Sequence, residues 1–449
     1  MSEPDRLTLV LRYADVGIVT YASLRIVGQP TRTVNWVVEE PILLAALQEL
    51  DDALPEPHGS ESRRDAIERA LTRGPFAAPD PELTVAYILG VLLIGPAGWQ
   101  LLAECVASPR AVLFVTPSAR LARVPWGQLA VPKSGPSAEE LVRARQEAVT
   151  ASGRVAARLP WQLADIRDHT DGYRLMELVD VLMAVPQNIV HSPRAPAGWT
   201  ARKSGPPVLV IDPRVPGQRP DSALGSVLGR PSDQTPLARH FTELIRHRAV
   251  LPDVDAVQLF RRTDADRRWL ARLLTANPSR LVYVGHASAA DGRADRAALH
   301  LACPAAIPGD ADAIGDHRPL TASDLMSLRL PMPPRVALLA CASGADYRFD
   351  EATGLVAAMI LGGAQLVTAT LWSLPTTAAY RQFCSAGADL ADPMADLVVA
   401  VDRAHEAVDA GSAVNRWQRE QMRRWRDGEV TASPLYWGAL VTFAVDGAR

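Results

Sequence analysis

Lysine is nearly absent from this chain: Lys133 and Lys203 are the only two in 449 residues, so arginine carries almost all the positive charge. That bias reads as codon usage in a G/C-rich genome and carries no mechanism. Net charge is also small. The formal value of −3 removes any bulk electrostatic reason to expect nucleic acid or an anionic membrane as the main partner. Cysteine is sparse: Cys105, Cys303, Cys341 and Cys384 lie far apart with no CxxC pair, which argues against both a zinc site and a disulfide framework. Scattered thiols suit a reducing cytoplasm, and the polar start MSEPDR does not read as a secretion signal. GxSxG, a Walker loop and GxGxxG are all missing, so serine hydrolases of the elbow type, P-loop enzymes and dinucleotide-binding oxidoreductases fall away.

A long apolar run is present once. TVAYILGVLLIGPAGWQLLA (84–103) is uncharged and about as long as the ~20 residues that cross a bilayer. GPAG with Pro96 divides it and no basic flank follows, so the expectation is two buried helices and no membrane span. Upstream, LTLVLRYADVGIVTYASLRI (7–26) and TVNWVVEE (33–40) are rich in β-branched and aromatic residues and predict a few antiparallel strands, followed by a helix in PILLAALQELDDAL. AVLFVTP predicts a short strand. PKSGPSAEELVRARQEAVTASGRVAARL predicts a polar helix, and HSPRAPAGWTARKSGPP (191–207) a linker.

Beyond residue 207 the pattern changes. Apolar strands at 207–211, 256–262, 281–286, 336–341 and 366–372 alternate with helices at 237–248, 264–277, 321–328 and 354–363, and a last strand is expected at 436–445. Strands apolar on both faces, separated by helices, predict an α/β fold with a parallel sheet covered on both sides. The expected organisation is 1–82 as N-terminal strands and helix with a regulatory or partner-binding role, 83–206 as a helical region with short strands, and 207–449 as the core.

In such sheets chemistry gathers at the carboxyl ends of strands, where strand order reverses. His286 follows LVYVG and Cys341 follows VALLA, at the ends of consecutive strands. Each alone is commonly structural, since free cysteine is among the most buried residue types. Paired, they suggest a site in which imidazole raises the reactivity of the thiol. Gly285 allows close approach of a substrate, Ala342, Ser343 and Gly344 leave room beside the sulfur, and the backbone N–H groups of Cys341 and Ala287 could face a developing oxyanion.

Several motifs then occur in the order seen in a known family. LARVPWGQLA (121–130), VLVIDP (208–213), YVGHAS (283–288), LHLACP (299–304), LTASDLMSLRL (320–330), LLACASG (338–344), EATGLVAAMILGGAQLVTATLWSL (351–374) and SPLYWGALVTF (433–443) together resemble the CHAT domain, the bacterial branch of the caspase- and separase-like cysteine peptidases. The resemblance implies a caspase-like parallel sheet flanked by helices behind an N-terminal β-rich and helical region. It also implies a Cys/His dyad that hydrolyses peptide bonds through a thioester, without metal or organic cofactor. By position, Cys341 is then the nucleophile and His286 the acid/base, with Gly285, Ala287 and Ala342 at the oxyanion pocket.

Two positions depart from the family pattern: Ala287 stands where glycine is common, and Thr376 where an aspartate is common. Substrate choice is open between Asp212, which would favour a basic side chain before the scissile bond, and Arg214 or Arg219, which would favour an acidic one. The loop 345–350, with Asp346 and Asp350, is an equal candidate. The remaining cysteines read as packing. His169, His240, His247 and His405 read as surface residues, and RWQREQMRRWR (416–426) as an exposed amphipathic helix more readily than a nucleic-acid grip. The leading expectation is a regulated cytoplasmic endopeptidase acting on a protein partner encoded nearby, with an activating partner protein conceivable and no nucleic acid or membrane partner. The alternative is a non-catalytic scaffold of the same fold in bacterial signalling or defence.

Overall fold

The computed structural model describes residues 7–105, 108, 111–135, 143, 165–185, 189, 198–220, 222–289, 292–344, 354–384 and 391–445. The polar helix expected near 133–160, the loop 345–350 with Asp346 and Asp350, and part of the linker at 191–207 lie outside them. The described chain falls into two compact units, one of residues 1–183 with 418–438, the other of 184–417 with 439–449. These limits differ from the three-part division expected at 82 and 206.

The first unit opens with the antiparallel meander β1 (Thr8–Val16), β2 (Val19–Ile26) and β3 (Gln29–Glu39). Leu9, Leu11 and Tyr13 alternate inward from β1, as a strand with one buried face requires. β4 (Val112–Thr116) pairs in parallel with β1, and β5 (Asp180–Ala184) in parallel with β4, giving the order β3-β2-β1-β4-β5. β5 was not foreseen: its DVLMA is short, and its two buried residues, Leu182 and Met183, are adjacent and not alternating, so it carries no clear period. The long apolar run forms helices Pro79–Leu93 and Pro96–Cys105, bent by 101° at Gly95 and Pro96. Among the described residues no single helix is long and apolar enough to cross a membrane. Both helices are largely buried, and Glu82 on the first is paired at 2.7 Å with the equally buried Arg174.

The segment 416–426 lies in helix Ala410–Arg426 and is not an exposed arginine comb. Met422 and Trp425 are buried, while Arg419 binds Asp180 and the carbonyl of Met176, and Arg424 and Arg426 pair with Glu429 and Glu177. Guanidinium groups already matched to carboxylates are poor phosphate ligands, which weighs against the nucleic-acid alternative.

The second unit contains β6 (Val208–Ile211), β7 (Arg280–Val284), β8 (Ala287–Ser288), β9 (Ala298–Leu299), β10 (Leu320–Thr321), β11 (Arg335–Leu339), β12 (Leu366–Thr370) and β13 (Leu440–Ala444). Its main sheet runs β13-β12-β11-β7-β6, with β6, β7, β11 and β12 parallel and β13 antiparallel, and β8, β9 and β10 form a small antiparallel sheet. The α/β class is therefore as expected: each long strand is buried on both faces. Helices Pro236–His247, Arg267–Leu274, Ala322–Leu328 and Leu355–Leu361 fall near their predicted places.

Three expectations change. AVQLFRR makes a 3₁₀ turn at Ala256–Leu259, and only Phe260 bridges to Ile211, because Arg261 turns left-handed (φ +53°) and an extended strand cannot include it. The last predicted strand begins as a short helix, Pro434–Trp437, where the Ser433 hydroxyl caps the Leu435 N–H. Strand order from β6 through β7 and β11 to β12 follows chain order, so no reversal of order marks the site.

The amino ends of β7 and β11 carry buried arginines. Arg280 is fully buried and meets Asp402 at 2.8 Å and Glu406 at 2.9 Å. Arg335 donates to the carbonyls of His405, Ala407 and Val408 and stacks 3.7 Å from the Trp199 ring centroid. Burial pushes the Asp402 carboxyl up, but Arg280 and His240 outweigh it and hold it at about 2. His240 lies 2.8 Å from Asp402, and His405 is fully buried with its ring 2.8 Å from the Thr368 hydroxyl, so neither is the surface residue that polar neighbours in sequence suggested. Arg280→Ala strips a buried carboxylate of its partner and is expected to cost roughly 3–5 kcal/mol in urea unfolding, whereas the double change Arg280→Met with Asp402→Leu should cost less than the single one.

Candidate active site

β7 and β11 pair in register, with Val284 opposite Leu339. The Gly285 N–H continues the ladder to the Leu339 carbonyl at 3.4 Å. His286 and Cys341 each lie two residues past the last paired position, so the same register delivers both to one rim at the carboxyl ends of the strands. Gly285 and Cys341 line a small cleft together with Val227, Leu374, Pro375 and Met394.

The turn bearing Cys341 is tied to β12. The Ser343 hydroxyl donates to the Leu338 carbonyl at 2.6 Å and accepts from the Thr370 N–H at 3.1 Å. The Gly344 N–H reaches the Thr370 carbonyl at 2.8 Å, and the Thr370 hydroxyl donates to the Ala340 carbonyl. Ala342 takes a left-handed conformation (φ +48°), uncommon for a residue with a side chain and of a kind that clusters at functional turns. Cys341 is half-buried, while Cys105 and Cys303 are buried and burial raises their thiol pKa values, as it does that of Cys384. Cys105 and Cys303 fit the packing role expected of them, while Cys384 is half-buried like Cys341.

His286 is 5% exposed, and its Nε2 lies 3.1 Å from the Gly225 carbonyl. A carbonyl only accepts, so Nε2 carries a proton, and in the neutral ring Nδ1 holds the lone pair. Arg261 donates to that same carbonyl at 2.9 Å and to Asp212 at 3.2 Å, which fixes the loop from beneath. Glycine is required at 225, because a Cβ there would stand 2.2 Å from the Pro220 carbonyl oxygen.

Asp212 is 1% exposed, and it accepts from the Ser226 hydroxyl at 2.6 Å and the Val227 N–H at 3.2 Å as well as from Arg261. Its carboxylate is occupied inside the loop, which corrects its reading as a specificity residue. Arg214 and Arg219 are exposed and do not line the cleft. Among the described residues that lining has no charged side chain.

The oxyanion candidates separate in the same way. The Ala342 N–H is taken by the Trp372 carbonyl at 3.2 Å and that of Gly285 by Leu339, so these two amides are corrected as donors. Ala287 differs. The His300 N–H bonds the His286 carbonyl at 3.0 Å, so His286 and His300 form a hydrogen-bonded pair. Alternation along the antiparallel pair then turns the Ala287 N–H away from β9.

The model of the CHAT domain family matches residues 89–446. The chain belongs to the CHAT domain family. No curated protein matches this chain in sequence. Among solved structures it is similar to separase in the Saccharomyces cerevisiae separase–securin complex, determined at 3.0 Å and again at 2.6 Å. Identity is 9% in both, 98% of this chain is covered, and the TM-scores are 0.44 and 0.41. The chain spans 30% of the length of those neighbours.

Within the CHAT domain, Thr376 lines the cleft and caps helix Thr377–Phe383, accepting from the Ala379 N–H at 3.2 Å. A hydroxyl thus does locally what a carboxylate could do at the same cap. Gly225, Arg261, Ser288, His300 and His317 were missed in the sequence. Ser288 ends the quoted YVGHAS and His300 lies in LHLACP, and nothing in the spacing of either marked it. Among the described residues no group of three or more His, Cys, Asp or Glu side chains is arranged to hold a metal ion.

Burial, with His317 and His286 nearby, depresses the His300 imidazole to about 3, and burial beside Arg335 and Arg280 depresses His405 to about 3. The unfolded chain takes up these protons from about pH 6.5 downward while the native state does not. Stability is therefore full above that pH and falls as pH drops toward 3, by up to about 1.4 kcal/mol per pH unit for each histidine. Urea midpoints measured from about pH 7 to about pH 5 should fall, and His300→Gln should make the fall shallower.

Proposed function

We propose that the chain is a cysteine endopeptidase that cleaves a protein partner, with Cys341 as nucleophile and His286 as acid/base. The observation that carries this reading is the Val284–Leu339 register, which supports it because His286 and Cys341 each follow by two residues at the same edge of the sheet. The tautomer of His286 supports it: with Nε2 engaged by Gly225, Nδ1 is the atom able to accept the thiol proton. The thiolate then attacks the scissile carbonyl, and the negative charge on oxygen faces the Ala287 N–H. Collapse breaks the C–N bond, and His286 returns its proton to the leaving amine. Water, deprotonated by His286, cleaves the thioester and restores the thiol.

The lining of Val227, Leu374, Pro375, Thr376 and Met394 favours an uncharged side chain before the scissile bond over the acidic or basic one considered from sequence. A protein substrate, rather than a small peptide, agrees with the small size of the cleft, since affinity must then come from surface outside it.

The decisive measurement is iodoacetamide labelling of Cys341 against pH in the parent and in His286→Ala. Labelling at neutral pH should be roughly tenfold or more faster in the parent, because an adjacent base raises the thiolate fraction from a few per cent. Equal rates in the two would favour the scaffold reading. Cys341→Ala should abolish cleavage of the partner while leaving the unfolding midpoint nearly unchanged, and any residual cleavage would remove the nucleophile assignment. Gly225→Ala, which moves the carbonyl that orients His286, should slow labelling in the same direction as His286→Ala but by less.

A further inference from the structure

Behind the candidate histidine lies a second pair of histidines that the proposed chemistry does not use. His317 is fully buried and His300 is 3% exposed. Their rings are joined by a contact of 3.0 Å between His300 Nδ1 and His317 Nε2. His317 Nδ1 lies 3.0 Å from the Cys303 carbonyl, and His300 Nε2 lies 3.2 Å from the Ser288 hydroxyl.

The direction of every hydrogen bond in this chain follows from one end. The Cys303 carbonyl can only accept, so His317 Nδ1 donates, and in the neutral ring its Nε2 is then the acceptor. His300 Nδ1 must therefore donate, which leaves His300 Nε2 as an acceptor. Ser288 must then donate inward. Burial lowers the pKa of both imidazoles, which favours their neutral forms, and the neutral pair is fully satisfied with no proton left over.

Ser288 follows His286 by two residues, on the strand β8 that also bears the Ala287 N–H. The same layer grips His286 itself. The His286 carbonyl accepts from the His300 N–H at 3.0 Å and from the Tyr283 hydroxyl at 2.6 Å, and that hydroxyl also reaches the His300 carbonyl at 3.2 Å. An apolar core would pack this layer at lower cost, because buried polar groups must be matched one by one. What a matched chain adds is a single orientation for the strand it ends on.

We infer that Ser288, His300 and His317 form a positioning relay that sets β8 and, through it, the His286 ring and the Ala287 N–H against Cys341. The inference rests on the reading of His286 as the base. None of the three touches the substrate in this role; they act through His286 and are positioning residues.

The test uses the full chain with four variants: Ser288→Ala, Ser288→Thr, His300→Gln and His286→Ala. Three quantities are read: the rate of Cys341 labelling by iodoacetamide at neutral pH, the unfolding midpoint, and the tautomers from ¹⁵N shifts of labelled histidine side chains. Ser288→Ala should lower the labelling rate about three- to tenfold, as displaced catalytic geometry does, with little change in midpoint because Ser288 is only half-buried. Ser288→Thr keeps the hydroxyl and should stay within about twofold of the parent. His300→Gln should lower the midpoint, through loss of the His317 contact, yet keep most of the labelling rate, since its Oε1 can still accept from Ser288. In the parent, His300 and His317 should both be neutral with the proton on Nδ1.

A Ser288→Ala rate equal to the parent, with His286→Ala still slow, would overturn the relay and spare the peptidase reading. So would a proton on Nε2 of His300 in the parent. If His286→Ala itself labels as fast as the parent, the base assignment fails and the relay's role fails with it.

Discussion

Everything at the cleft depends on the parallel pairing of β7 with β11. Register in a sheet is all-or-none: a slip by one residue turns each side chain to the opposite face. Here both strands are apolar on both faces, so burial alone does not choose among registers. The choice is reinforced at the two ends of the strands. At the amino ends, Arg280 and Arg335 need particular partners among residues 402–409. At the carboxyl ends, Ser343 and Thr370 stitch the Cys341 turn to β12. The candidate cleft is thus held by polar contacts at both ends of an otherwise uniform apolar layer.

The loops over the rim obey the same economy. The carbonyl of Gly225 is held by Arg261, which is held by Asp212, and the carbonyl gives His286 its tautomer. Asp212 itself leaves β6 through a left-handed turn that lets its carboxylate fold under the loop. From sequence, a carboxylate in a loop near the cleft looks like a specificity device; in the fold it is a tether. Loop charges are solvated by default, and one that is fully buried has been recruited to hold backbone in place.

Much of the second unit was legible beforehand. Runs such as LVYV and VALL between amphipathic helices permit little except buried parallel strands, and the helices fell near their predicted places. Failures came where the chain bends without announcing it. AVQLFRR has strand composition but includes the left-handed Arg261, and YWGALVTFAV begins inside a capped helix. The histidines were misjudged for a related reason: His405 and His240 have polar neighbours in sequence, while their burial is decided by Asp402, Thr368 and the arginines that reach them from other elements.

By itself the sequence determined the α/β class, the two residues, His286 and Cys341, that follow buried strands, and the ordered motifs of the CHAT family, because these depend on local period and on residues close in the chain. Only the tertiary structure decided which amides are already spent, which carboxylate is a tether, and which buried histidines stand behind His286. Each of those turns on pairing between groups far apart in sequence, such as Gly225 with His286 or His317 with His300. A hydrogen bond is satisfied or not by distance and direction, and neither is written in the order of residues.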